Sequence, residues 1–159
     1  MKEIDKAYIA GFLDGDGCIM LQLIKRDDYL LGYQIRASIV FYQKTEYKNF
    51  LFWLKKQFGF GYVRDRNDGI TEYTIVGFEA VRKTLVLLLP FVRLKKEQAV
   101  LALEIINQAP GSGRKYKPKL FLKLAEKVDK FGQLNYSKKR KRTSKQVLNY
   151  FEKHNLLSP

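Results

Sequence analysis

The chain of 159 residues contains one cysteine and one histidine. Cys18 has no partner for a disulfide, and Cys18 with His154 cannot assemble a Cys/His zinc site. The fold should therefore tolerate a reducing compartment. A single histidine near the C-terminus also leaves no ready Ser-His-Asp or Cys-His nucleophilic site. Acid is scarce: 16 Asp and Glu face 30 Lys and Arg, for a net charge of +14. That imbalance points to a polyanion, nucleic acid first and an anionic membrane second. No apolar run approaches the ~20 residues of a membrane span. The opening "MKEIDKAYIA" carries Glu3 and Asp5, so it reads as neither a signal peptide nor an acid-poor transit peptide. The expectation is a protein that works where it is made or is imported by an internal signal. "GFGYVR" lacks the third glycine of a dinucleotide fingerprint, and no P-loop pattern is present.

Hydrophobic residues make up 46% of the chain, which is ordinary for a globular protein. The length suits one domain, 1–159, with a core over about 1–110 and a basic helical extension over about 111–159. The charge is uneven. Residues 111–145 hold 13 Lys and Arg against 2 acids, densest in "SKKRKRTSK". That run suits phosphates without sequence preference; a nuclear-import tract or a solvated tail is the plainer alternative.

Periodicity places a helix over Asp5 to about Gly15. Strands follow over Cys18–Lys25 and Tyr33–Gln43. In "YQIRASIVFYQ" the residues Ile35, Ala37, Ile39 and Phe41 alternate with Gln34, Arg36, Ser38 and Val40, so one face should be core and the other exposed. Thr45 can cap a helix that runs to about Phe58 and stops at Gly59. A second hairpin follows, "FGYVRDR", the turn "NDG", then "ITEYTIVG". Helices over Phe78–Leu89, Leu94–Gln108, Pro118 to about Phe131 and Ser144–His154 complete the chain. The fold class is α+β, with two hairpins in one antiparallel sheet and helices on one face.

Two features invite chemistry. In "YIAGFLDGDGCIM" an apolar helix ends in Asp14 and Asp16, although a helix C-terminus carries partial negative charge. A calcium loop started at Asp14 fails, because Ile19 and Lys25 stand where it needs Gly and Glu. A hard cation could use a carboxylate here, together with the unsatisfied carbonyls of the helix end and phosphate oxygens of a bound substrate. The alternative is two acids that cap locally. Small residues recur at Ala7, Gly11 and Gly15, which suits either burial against the chain's own sheet or a close helix pair across an interface. The second feature is the polar strand face. Gln22, Gln34, Arg36, Arg64, Arg66, Glu72 and Thr74 are types that read base edges in the major groove, although a solvated sheet face is the plainer reading. A strand pair of ~9 residues spans about 30 Å, near the length of a half-site.

"YIAGFLDGDG" resembles the signature of the LAGLIDADG homing endonucleases. "FYQKTEYKNFLFWL", "GFGYVRDR" and "PFVRLKKEQAVLALEIIN" resemble successive landmarks of its single-motif, homodimeric, group I intron-encoded members. "LNYSKKRKRTS" resembles that group's phosphate-contacting loop. The resemblance covers most of the chain. It implies an αββαββα core with a saddle-shaped four-stranded sheet and additional C-terminal helices. It further implies that the motif helices of two copies pair through Ala7, Ala10, Gly11, Phe12 and Asp14. Asp16 then matches the metal-binding acid, with the Gly15 carbonyl assisting. Gln43 matches a glutamine that orients water, and Lys95 the active-site lysine. DNA-contacting strand and loop positions fall on Gln22, Ile24, Arg26, Tyr29, Gln34, Arg36, Ser38, Val40, Lys44, Lys48, Arg64, Arg66, Glu72 and Thr74. Phosphate contacts fall on Ser137, Lys138, Lys141 and Arg142. The group often has a basic residue where this chain has Tyr47, with Lys48 next to it, and the turn around Asn67–Thr71 differs in length.

The resemblance implies a Mg²⁺-dependent enzyme, with Mn²⁺ or Ca²⁺ able to substitute in binding. It would cut a long pseudo-palindromic site in double-stranded DNA as a homodimer, leaving short 3′ overhangs. An organelle, chloroplast or mitochondrion, is the expected location, and neither a membrane nor a small-molecule substrate is expected. The rival readings are an intron RNA maturase and a non-cleaving DNA-binding protein on the same scaffold. Lys138→Ala or Lys141→Ala should weaken binding to all DNA sequences about equally and flatten its salt dependence. A titration of affinity against salt on two unrelated duplexes checks this.

Overall fold

A computed structural model describes residues 1–111, 113–135 and 142–158. Among them the chain forms six α-helices and four strands. These are α1 (Glu3–Asp16), β1 (Gly17–Lys25), β2 (Tyr33–Lys44), α2 (Lys48–Phe58), β3 (Tyr62–Asp65), β4 (Ile70–Val76), α3 (Phe78–Leu88), α4 (Lys96–Gln108), α5 (Pro118–Leu134) and α6 (Ser144–Lys153). The order from α1 to α3 is the expected αββαββα. The strands form one sheet in the order β1-β2-β4-β3. The two central strands pair antiparallel with Phe41 opposite Tyr73 and Gln43 opposite Thr71. β3 pairs with β4 so that Arg64 faces Glu72.

Two compact units emerge, which do not divide near residue 110. One comprises Met1–Met20 and Ala37–Val100, the other Leu21–Arg36 and Leu101–Pro159. In the first unit Ile9, Leu13, Ile39, Phe41, Leu51, Leu54, Tyr73 and Leu85 are fully buried. Phe41 stacks on Phe12 at 5.8 Å and on Tyr73 at 6.0 Å, so one ring joins α1 to both central strands. The Tyr73 hydroxyl donates to the Phe60 carbonyl at 2.7 Å, and burial pushes this phenol well up. In the second unit α5 turns Phe121, Leu124, Val128 and Phe131 inward, and α6 adds Val147 and Phe151. Phe121 and Phe151 meet at 5.9 Å. Pro118 opens α5 at the position where its missing N–H costs nothing. Thr143 and Gln146 form a capping box that starts α6.

Two sequence expectations fail here. Thr45 does not cap α2. It begins a short 3-10 turn, Thr45–Tyr47, and its hydroxyl shares a 3.0 Å hydrogen bond with Thr71 Oγ1. Gly59 does end α2, in the left-handed conformation. The second concerns β2, where Ser38 and Val40 are as buried as the core face, at 3% and 4% exposure. An alternating pattern predicts an open face only when nothing covers it, and β2 is a central strand with neighbours on both sides.

Candidate active site

The candidate site is built at the last turn of α1. Gly17 leaves the helix while its N–H still donates to the Leu13 carbonyl. A Cβ at Gly17 would stand 2.7–2.9 Å from atoms of Leu13, so any side chain would block this abrupt passage into β1. The turn thereby exposes the helix carbonyls that lack partners.

Asp14 is not misplaced. Its carboxylate accepts the N–H groups of Arg93 (2.8 Å), Leu94 (3.1 Å) and Lys95 (2.9 Å), immediately before α4. An acid at the end of one helix therefore serves the positive start of another. Burial pushes the Asp14 carboxyl up, but the backbone donors of Arg93, Lys95 and Leu94, with the Lys95 charge, hold it below its ordinary value. Such an anion stabilises the fold at neutral pH, and the contribution is lost as pH falls through the depressed value. The same contact delivers Lys95, whose ammonium donates to the Asp14 carbonyl. Lys95 also acts on Cys18, where burial pushes the thiol up and the lysine charge pulls it down. Asp16, by contrast, is exposed at the last position of α1, and among the described residues its carboxylate has no hydrogen-bond or ion-pair partner.

Gln43 lies on β2 opposite Thr71, and its side-chain oxygen accepts the N–H of Lys44 at 2.9 Å. Asp14 and Lys95 are thus brought into contact, whereas Gln43 keeps its own local partner. Lys48 pairs with Asp65 at 2.8 Å, and Thr71 Oγ1 donates to the same carboxylate at 2.7 Å. The charge next to Tyr47 is therefore already engaged.

The outward face of α1 settles the small-residue row. Ala7, Gly11 and Gly15 are exposed, together with Ile4 (75%) and Tyr8 (57%). A Cβ at Gly11 or Gly15 would meet nothing within 4 Å. The chain's own packing therefore does not demand glycine there. One interface expectation is corrected, since Ala10 is buried within its own chain. Phe12 packs between Phe41 and Phe50. At 100° per residue, Ile4, Ala7, Tyr8, Gly11 and Gly15 share about 100° of arc, and Ala10 lies outside it beside Ile9 and Leu13. Ile4 and Tyr8 are legible by that arithmetic, yet the motif alone draws attention to its small residues.

The reading positions divide in two. Gln22, Arg36 and Lys44 are exposed, Ile24, Arg26 and Gln34 half-buried, and Tyr29 40% exposed. Arg64 and Arg66 are open, with side chains 65% and 42% exposed. Ser38, Val40, Glu72 and Thr74 are 3–9% exposed, so they are not free base readers as the chain stands. Val40 and Thr74 are register partners on the central strands, and Glu72 lies beneath Arg64 at 2.6 Å. The arginines carry acids that sequence alone did not assign to them. Arg66 pairs with Asp68 at 2.6 Å, and Arg26 grips Asp28 through two hydrogen bonds at 2.9 and 2.8 Å. Exposed pairs of this kind are weak, so DNA can exchange them cheaply. Arg142 is exposed; Ser137, Lys138 and Lys141 lie outside the described residues.

Comparison with known proteins follows the same chemistry. Residues 9–95 match the family model described as LAGLIDADG endonuclease. The chain is 42% identical over 134 residues to DNA endonuclease I-CvuI of Chlorella vulgaris, covering 84% of this chain and 81% of that one. It is 39% identical over 140 residues to DNA endonuclease I-CreI of Chlamydomonas reinhardtii, covering 88% and 84%. A crystal structure of I-CvuI on the I-CreI target with magnesium, its DNA uncleaved, superposes with a TM-score of 0.91. It covers 96% of each chain at 38% identity.

Asp14→Ala should leave the three N–H groups before α4 without their acceptor and destabilise the fold by about 1–3 kcal/mol. Urea denaturation at neutral pH in the presence of a chelator measures this. A change below a few tenths would show that the contact contributes nothing.

Proposed function

The chain belongs to the LAGLIDADG endonuclease family, and we propose that Asp16, Lys95 and Gln43 are the residues with which it cuts DNA. It is a site-specific endonuclease of double-stranded DNA that acts as a homodimer. The observation that carries the assignment is Asp16, exposed and without a partner among the described residues, at the end of a helix whose outward stripe is exposed.

The donor set fits a hard divalent cation. Asp16 offers a free carboxylate, and Gly15 a carbonyl of the last helical turn. Among the described residues no three His, Cys, Asp or Glu converge into a cage. The remaining ligands then come from phosphate oxygens and water, as a nuclease site allows. A divalent cation is the coarse assignment, and Mg²⁺ the specific one proposed. When bound, it supplies a more acidic water and positive charge for the attacking and leaving oxygens.

The chain's own residues do the rest. The stripe Ile4, Ala7, Tyr8, Gly11 and Gly15 seats a second α1, so that two Asp16 carboxylates reach one axis. Two carboxylates there repel unless cations and phosphates lie between them. Lys95, held by the Asp14 carbonyl, places a fixed positive charge at the catalytic end. It can stabilise the phosphorane-like charge and order solvent. Gln43 releases its local bond to Lys44 and orients water at the attacked phosphate. Exposed Gln22, Arg36, Arg64 and Arg66 read base edges, one half-site per copy. The product carries short 3′ overhangs, and by the same family reasoning the place of action is an organelle.

Asp16→Asn should lower cleavage at least a thousandfold while leaving DNA affinity within a few-fold, because removing a metal ligand takes away stabilisation of the transition state rather than of binding. The assay pairs plasmid cleavage in Mg²⁺ with duplex binding in Ca²⁺. The target on which I-CvuI was crystallised with calcium is a first substrate, followed by selection from a site library. Normal cutting by the variant would sink the assignment of Asp16.

A further inference from the structure

We propose that Tyr150, on α6, is a positioning residue for base readout by the turn between β1 and β2, so that the C-terminal helix sets part of the DNA specificity. The inference rests on the DNA-reading function above. Residues 26–32 close through three backbone hydrogen bonds. Arg26 N–H donates to Gly32 O at 2.9 Å, Gly32 N–H to Tyr29 O at 2.8 Å, and Tyr29 N–H to Arg26 O at 3.2 Å. Residues 27–30 are exposed, so the shape of the turn depends on these bonds and on whatever backs it.

Tyr150 backs it. At Gly32 φ is +68°, and a Cβ there would stand 2.4 Å from two ring carbons of Tyr150 and 2.7 Å from its hydroxyl. The phenol ring occupies the space a side chain would need, which is why the position requires glycine twice over. The ring meets Tyr33, the first residue of β2, edge-on at 5.6 Å. Its other contact is His154, stacked at 4.0 Å, whose Nδ1 lies 2.8 Å from the Tyr150 carbonyl. The helix that carries this wedge is itself fixed. Val147 and Phe151 are fully buried, and the Ser144 N–H donates to Asp129 Oδ2 at 3.0 Å.

The turn it supports carries a linked set of readers. The Arg26 guanidinium stands 4.8 Å over the Tyr29 ring, is forked to Asp28, and reaches Gln34 Oε1 at 3.4 Å. These side chains present donors of the kind that discriminate base edges. Readout of that kind needs the donors held to within ~0.5 Å, which an exposed turn achieves only against a rigid support. A ring on a packed helix, seated against the turn's backbone, is such a support.

The test is a binding-site selection with the full chain in Ca²⁺, on a duplex library varied at every base pair of a half-site. Arg26→Ala marks the base pairs read from this turn, and Arg64→Ala marks those read from β3. Tyr150→Leu should relax discrimination roughly tenfold, the order of one base contact, at the pairs marked by Arg26→Ala and leave those marked by Arg64→Ala unchanged. Tyr150→Phe should keep the wild-type profile. Gly32→Ala, which presses on the ring from the turn side, should reproduce the Tyr150→Leu profile. An unchanged profile in Tyr150→Leu, or relaxation spread evenly over both blocks, overturns the proposal. So does a Tyr150→Leu chain that fails to fold beside a Gly32→Ala chain with wild-type discrimination, since the ring would then hold the unit and not the turn. A wild-type chain that binds all sequences equally overturns the DNA-reading function, and this inference with it.

Discussion

The carboxylate of Asp14, accepting three N–H groups ahead of α4, is the contact on which the catalytic end depends. It joins positions 79 to 81 residues apart in sequence. It turns an acid that would repel its own helix C-terminus into one that serves another helix's N-terminus. Lys95 arrives with it, and the Asp14 carbonyl holds the ammonium. Asp16, two residues on, is left exposed and free of protein partners among the described residues. One acid is engaged by the residues before α4 and its neighbour is available at the point where the chain turns into β1. Gly17 is what permits so tight a turn.

Much of this was legible in the sequence and some was not, for physical reasons that differ by element. Strand and helix order followed from period two and period 3.6, and Gly59 and Pro118 marked boundaries as local chemistry requires. The division of labour between Asp14 and Asp16 was not legible from pattern. It depends on a loop some eighty residues away, and only the family resemblance separated the two. Ser38 and Val40 looked exposed because alternation describes one strand, while burial is decided by its neighbours. Ala10 belongs to the motif, yet the helical wheel turns it away from the outward stripe, and it is buried. Thr45 had the right residue type for a cap, but Thr71 uses its hydroxyl. The carboxylates paired with Arg26 and Arg66 were adjacent in sequence, yet nothing in a linear reading says that two residues' spacing closes a fork.

Those ion pairs bear on how a basic protein can be selective. A net charge of +14 draws in any polyanion. Arg26, Arg64 and Arg66 each pair with an acid of the same chain, which offsets part of the positive charge at these positions. Most of the excess charge lies in the C-terminal third. Its helices in turn pack among themselves, and through Tyr150 they reach the turn that carries Arg26.

The central claim is that α1 leaves its outer stripe open to meet a second α1 and so bring two active sites to one axis. The most direct measurement is sedimentation equilibrium and plasmid cleavage on Gly11→Leu. Within one chain a side chain at Gly11 meets nothing within 4 Å, and leucine is a better helix former than glycine. The account predicts a folded monomer that no longer makes double-strand breaks. A Gly11→Leu protein that sediments as a dimer and cuts like wild type would contradict it.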